Sequence, residues 1–248
     1  MALPPLEDRV VVITGASRGL GAGMAEHLRG QGIRVGVCAR GPLPLAGLPG
    51  VVARQLDVRD EAAVDDFTRE VGRQLGPIDL WINNAGVLEP IAFVRDLEPA
   101  ALAEHLAINL GGVLAGTKAY LGHLRERGGS GVLINISSGA AQHGYAGWGA
   151  YCAGKAAVDR LTECVQLEQG EHGLRAYAVA PGVVDTGMQA TIRGKTRQQF
   201  PMVDKFRALK RDGGFNSPSF IAQRLLEIAF DPEALPPSVV LRLPAERG

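Results

Sequence analysis

The chain has 248 residues, with 26 basic and 26 acidic side chains and a formal net charge of zero. Balanced charge gives no global field for nucleic acid or an anionic membrane, and 46% apolar residues with 33 glycines and 15 prolines mark a globular chain with many tight turns. Cys38, Cys152 and Cys164 form neither a Cys-x-x-Cys pair nor an even framework, so they read as buried small hydrophobes of a reducing compartment.

The first residues carry no basic leader and no long apolar run, so a cytoplasmic protein without a membrane span is expected. Residues 9–14 are a short β-branched run that reads as a buried parallel strand. It leads into the turn Thr14-Gly-Ala-Ser-Arg-Gly-Leu-Gly21 and a helix to about Arg29; residues 33–38 form the second strand. This βαβ unit aims a helix N-terminus where a phosphate could sit, and the glycines let backbone approach it. Residues 41–50 hold three prolines and are expected to be a loop in place of the usual crossover helix. A third strand (51–56), a helix (60–75) with an acidic first turn and a fourth strand (78–82) follow.

A long helix from Pro99 to Arg127 is expected, interrupted at Gly111-Gly112. Then come a fifth strand (132–137), a helix (149–171) and a sixth strand (174–180). Pro181-Gly182 opens a less regular region. Ser217-Pro218 reads as a helix N-cap and N1 proline, starting a helix to about Phe230, with a last strand at 238–243. The alternation predicts α/β architecture: one doubly wound, Rossmann-type parallel sheet of about seven strands between helix layers, a single domain spanning 1–248.

Tyr151 and Lys155 are four residues apart on one helix, which puts a phenol and an ammonium on one face. A nearby cation is expected to lower the tyrosine pKa below its ordinary ~10, fitting it to exchange a proton with an alcohol or carbonyl. Ser138, at the end of an apolar strand, could hold the same oxygen.

With Thr14-Gly-x-x-x-Gly-x-Gly21, Asn83-Asn-Ala-Gly86, Asn109, Ser138, Tyr151-x-x-x-Lys155 and Pro181-Gly182 in this order, the chain resembles the short-chain dehydrogenase/reductase family from Arg9 to Thr186. The resemblance implies that Tyr151 is the catalytic acid/base and that Lys155 lowers its pKa and holds the nicotinamide ribose. It makes Ser138 the residue that polarises the carbonyl and Asn109 the one that holds a water in a proton relay. It assigns Gly15, Ser17, Arg18, Gly19, Leu20 and Gly21 to the pyrophosphate turn, and Asp57 and Val58 to the adenine. Asn84, Ala85 and Gly86 then lie under the adenosine, and Pro181, Gly182, Val184 and Thr186 reach the carboxamide end.

The second strand ends at Cys38-Ala39-Arg40 without the acid that an NAD enzyme usually puts there for the ribose 2′-hydroxyl. Arg18 and Arg40 could instead bracket a 2′-phosphate. NADP(H) is therefore the expected preference, with NAD(H) as the alternative, and no metal is expected.

The substrate pocket is expected from residues 88–93, 140–148 and those after Pro181. His143, Tyr145 and Trp148 form an aromatic wall there, or else pack the loop against its surroundings. Residues 187–216 are expected to act as a lid; its seven bases (Arg193, Lys195, Arg197, Lys205, Arg207, Lys210, Arg211) either steer an anionic substrate or, more simply, make a solvated face. Phe206-Arg-Ala-Leu-Lys-Arg-Asp-Gly-Gly followed by Ser217-Pro-Ser-Phe-Ile-Ala resembles the sepiapterin reductase and benzil reductase branch. The expected function is reduction of a small ketone or diketone by NADPH. A secondary-alcohol dehydrogenase (steroid, sugar or 3-oxoacyl type) and a non-catalytic nucleotide sensor are the alternatives. A homodimer or homotetramer is expected, joined through the helices from Pro99 and Gly149, with no nucleic-acid or membrane partner.

Overall fold

The computed structural model describes residues 5–246. Seven parallel strands form one sheet: β1 (Val10–Thr14), β2 (Arg34–Ala39), β3 (Val51–Gln55), β4 (Leu80–Asn83), β5 (Gly131–Ile136), β6 (Leu174–Ala180) and β7 (Val240–Arg242). Their order is β3-β2-β1-β4-β5-β6-β7. The order reverses between β1 and β4, and in such sheets ligands bind outside the carboxyl ends of the strands at that switch point.

A strand covered on both faces must be apolar on both, and β1 is buried at all five residues of Val-Val-Val-Ile-Thr. Because side chains alternate, Val11 and Ile13 join Met24 and Leu28 of α1 (Gly19–Gly30) and Ile221 and Leu225 of α8 (Pro218–Phe230). Val10 and Val12 face the other way, onto Phe67 of α2 (Glu61–Leu75) and Tyr120 of α4 (Gly112–Arg127). Trp81 is fully buried there and stacks on Tyr120 at 5.9 Å. Burying a large apolar side chain of this kind stabilises the fold by about 1.5–3 kcal/mol.

The second face also hides a polar chain. Trp81 Nε1 donates to Asn83 Oδ1 (2.8 Å), Asn83 Nδ2 to Asn135 Oδ1 (2.9 Å), and Asn135 Nδ2 to Thr162 Oγ1 (2.8 Å). Thr162 lies on α5 (Gly149–Gln169). The amides of Asn83 and Asn135 are thus paired, and the chain ties β4 and β5 to α5 in one register.

The local signals set the helix ends. Asp60 caps α2 by accepting from Ala63 N (3.0 Å), and Ser217 caps α8 by accepting from Phe220 N (3.1 Å) with Pro218 at the first helical position. Each such cap is worth about 1 kcal/mol. The expected break at Gly111-Gly112 proves to be a π-helical turn (Ala107–Gly111) between α3 (Pro99–Leu106) and α4. Residues 41–50 form no helix, as expected from their prolines. The region after Pro181 is more ordered than expected, with α6 (Gly187–Arg193) and α7 (Val203–Arg211). Of the cysteines only Cys38 is buried; Cys152 is half-buried and Cys164 exposed, because Cys164 lies on a turn of α5 directed away from the sheet. No described helix is long and apolar enough to cross a membrane.

Candidate active site

The carboxyl ends of the strands open into one cleft of about 1210 Å³. Every residue nominated above for catalysis or cofactor binding lines it except Asn109. At one end lies the glycine turn. Gly15 (φ +73°) approaches the segment after β4 so closely that a Cβ would meet Ala85 Cα at 2.6 Å, and a Cβ on Gly21 would meet Gly15 O at 2.5 Å. The turn therefore presents bare backbone, and Arg18 ahead of α1 gives no side-chain cap, leaving the first N–H groups of the helix for an anion. Asn84 braces this turn, its Nδ2 donating to Thr14 O (2.9 Å) and its backbone N to Thr14 Oγ1 (3.0 Å).

Arg18 and Arg40 are exposed on the cleft and, among the described residues, neither is in an ion pair. Asp57 beneath them accepts from Arg59 (Nε at 3.0 Å), whose guanidinium holds its carboxyl below the usual range, with a smaller contribution from the charge of Arg40.

At the other end, Tyr151 and Lys155 of α5 face the last residues of β5. Lys155, 6% exposed, donates to Ile136 O at 2.7 Å. Burial lowers its pKa to about 8. Burial raises the Tyr151 phenol above its ordinary value, while the Ser138 hydroxyl beside it acts in the opposite sense. The expected lowering of the phenol by Lys155 is not found, because the ammonium is turned to a carbonyl and burial dominates both groups. Of the two serines ending the strand, Ser138 neighbours the phenol, whereas Ser137 donates to Asp159.

Asn109 sits in the π-turn, fully buried. Its Oδ1 accepts from Val87 N (2.7 Å), and its Nδ2 donates to Val87 O (2.8 Å) and to His105 Nε2 (2.7 Å). Its amide is thus committed to the chain after β4, which explains why it is absent from the cleft surface. His105 donates from Nδ1 to Glu89 O (2.7 Å), and burial holds its pKa below the ordinary value, so it is a neutral imidazole. Its ring meets Tyr151 edge-on at 6.2 Å.

A proton donor, a second hydroxyl and a buried ammonium at one end of a cleft whose other end is a bare glycine turn can assist reduction or oxidation of a carbon–oxygen bond placed next to a nicotinamide. The comparison with known families agrees: a model described as short chain dehydrogenase matches residues 9–197. The chain belongs to the short-chain dehydrogenase family. It is an oxidoreductase of CH–OH and C=O groups. A benzil reductase ((S)-benzoin forming) of Bacillus cereus is 33% identical over 247 residues, covering 95% of this chain and 99% of the relative. A galactitol 2-dehydrogenase of Agrobacterium fabrum is 34% identical and covers 73% of this chain and 72% of its own. Among solved structures, an actinorhodin polyketide ketoreductase with NADPH superposes with a TM-score of 0.81 at 28% identity, covering 96% of each chain.

In this short-chain dehydrogenase the far wall of the cleft is aromatic. Trp148 is buried, stacked on Phe200 at 4.7 Å and edge-on to Tyr151 at 5.6 Å. Tyr145 is half-buried beside it and His143 exposed at the rim. Packing and lining are thus the same act, since Phe200 and Phe206 back the wall from the segment after Pro181. Most of that segment's bases are paired: Arg193 and Lys210 with Asp185, Arg197 and Arg207 with Asp204, and Arg211 with Asp212.

Sequence reasoning missed Phe200, Phe206, His105 and Asn216. Asn216 is buried and holds the 181–184 turn, donating to Pro181 O (2.8 Å) and giving its backbone N to Val183 O (2.8 Å). Only His105 left a signal, its spacing of four from Asn109 on one helical face.

Lys155 also carries a stability prediction. A lysine held near 8 against an ordinary 10.5 binds fewer protons folded than unfolded between those values. Its charge therefore opposes folding fully below pH 8, and stability gains as pH rises through that window. The penalty is at most about 3 kcal/mol, offset in Lys155→Met by about 1–3 kcal/mol for the abandoned Ile136 carbonyl. Lys155→Met is expected to melt within a few degrees of the unsubstituted protein at pH 7 and to lose ground against it by pH 9.5. Paired thermal melts that diverge the opposite way would refute the assignment.

Proposed function

We propose that this short-chain dehydrogenase is an NADPH-dependent carbonyl reductase acting on a small ketone, with vicinal diketones as the favoured class. The observation that carries it is the cleft. An uncapped glycine turn with two arginines unpaired among the described residues stands at one end, and Ser138, Tyr151 and Lys155 at the other.

The bare backbone at Gly15 and Gly21 fits a dinucleotide. Backbone N–H groups from Gly15 through Gly21, Ser17 and Leu20 included, would hold the pyrophosphate. Arg18 and Arg40 would take the 2′-phosphate, and Asp57 and Val58 the adenine. Asn84, Ala85 and Gly86 would lie under the adenosine. Pro181, Gly182, Val184 and Thr186 would receive the carboxamide, and Tyr151 and Lys155 the adjoining ribose. When bound, the cofactor supplies the hydride. Ser138 donates to the substrate carbonyl oxygen, and Tyr151 gives its phenolic proton to that oxygen as negative charge gathers there. Lys155, whose ammonium lies 5.9 Å from the centre of the Tyr151 ring, would offset the charge of the phenolate, and Asn109 and His105 fix Val87 and Glu89 on the approach to the pocket. Helices α6 and α7 act as the lid that excludes water.

The near-full-length likeness to a benzil reductase supports reduction of a diketone, and the galactitol dehydrogenase likeness supports the alcohol-oxidising alternative. We further infer a homo-oligomer through α4 and α5, which expose Leu114 and Leu167. The test is loss of reduced-nicotinamide absorbance with aryl and alkyl vicinal diketones, run beside sugar alcohols, steroids and acyl thioesters with either cofactor. Diketone reduction favouring NADPH is the expected result. Turnover of a sugar alcohol alone would transfer the assignment to the alternative, and cofactor binding without any turnover would mark a nucleotide sensor.

A further inference from the structure

Three successive residues at the end of β5 each meet one residue on a single face of α5. The Ser138 hydroxyl neighbours Tyr151, the Ile136 carbonyl accepts from Lys155, and the Ser137 hydroxyl donates to Asp159. Tyr151, Lys155 and Asp159 stand at i, i+4 and i+8, one above another along the helix. The first two contacts belong to the reaction above. The third has no part in it, yet it is built from the same strand residues.

We propose that Asp159 is a positioning residue that acts through Lys155 and Ser137. Its carboxylate keeps the buried lysine charged at working pH, and its bond to Ser137 fixes the strand end that presents Ser138. The role rests on the carbonyl-reductase reading for its purpose, though not for its measurement. A buried ammonium whose nearest polar partner is a neutral carbonyl is poorly compensated, and one helical turn away a formal negative charge offsets part of that penalty. The groups around the pair are few. On α5, Arg160 and Glu163 flank Asp159 and act on it in opposite senses. From α3, His105 is neutral, and its ring lies against Gly154. On β6, Arg175 is spent on the Ile228 and Ala229 carbonyls, and on β7 Arg242 lines the cleft beside Gly139. The negative charge of Asp159 supports that of the lysine, even though burial raises the Asp159 pKa itself.

The test uses Asp159→Asn, which keeps an oxygen for Ser137 and deletes the charge. In cofactor-free protein the Lys155 Nζ resonance, assigned by its loss in Lys155→Gln, is expected to titrate about one unit lower than in the unsubstituted protein, as befits a unit charge one turn away. The alkaline limb of kcat/KM is expected to move with it, which is about tenfold lower activity on that limb, and Asp159→Glu is expected to restore both. Ser137→Ala retains the carboxylate and is expected to leave the lysine midpoint in place. An unmoved midpoint in Asp159→Asn overturns the proposal. Should that variant fail to fold, the Asp159 carboxyl carbon of the unsubstituted protein decides: the proposal requires a second inflection at the lysine midpoint, and a flat response there refutes it. Failure of the reductase reading shows elsewhere, as retained turnover in Tyr151→Phe, and leaves the titration untouched.

Discussion

Tyr151→Phe is expected to fold, bind NADPH and lose about 10²–10⁴-fold in kcat/KM, the worth of a placed general acid. The phenol is buried against Trp148 and His105, and its ring survives the substitution, so the aromatic wall keeps its packing. The hydroxyl alone disappears, and with it the proton that the proposed reduction requires. Ser138 cannot replace it, because a hydroxyl far less acidic than a phenol is a poor donor at neutral pH. Binding of NADPH, followed by its fluorescence, and a melting temperature within a few degrees of the parent are the controls. Turnover close to the parent value, with both controls satisfied, would remove Tyr151 from the mechanism.

The second large effect is expected at Arg40. Replacing it by aspartate exchanges a cation at the end of β2 for the acid that a ribose 2′-hydroxyl would favour. Losing a charge-assisted hydrogen bond to phosphate forfeits about 1.5–3 kcal/mol, and the new like charge adds to it. At 1.4 kcal/mol per tenfold, kcat/KM for NADPH is expected to fall about 10²–10³-fold. The gain for NADH is expected to be smaller, because Asp57 lies close enough to feel the charge of Arg40 and would meet a second carboxylate. Arg40 is exposed, so stability is expected to hold. An unchanged ratio of NADPH to NADH efficiency would show that neither a 2′-phosphate nor a ribose hydroxyl is read at this position.

Much of the fold was legible because its signals are local. The bounds of β6 and the capped start of α8 were readable directly, since a short apolar run closed by Pro181 and a Ser-Pro pair are decided by their own residues. Helices α6 and α7 were not, because they are short, and their apolar contacts, Ile192, Val203 and Phe206, lie on an aromatic cluster assembled from distant segments. The site followed the same division. Motif residues at strand ends converge because all seven strands point the same way, so order in sequence became proximity in space. What each group bonds to was hidden: that Lys155 faces a carbonyl, that Asn109 spends its amide on Val87, and that five bases after Pro181 pair with three aspartates.

The π-turn at Ala107–Gly111 has a bearing on how such a chain can drift over time. An extra residue in one turn offsets everything beyond it by about 100° around the helix axis. On one side of the offset His105 packs against Gly154. On the other, Gly112 and Gly116 come so near Val58 and Asn83 that a Cβ would stand 2.5 and 2.2 Å from them. The two halves of this helix are therefore cut to different phases. Side chains within the turn can be exchanged one at a time, but its length cannot, since losing a single residue would swing one half out of step with the sheet.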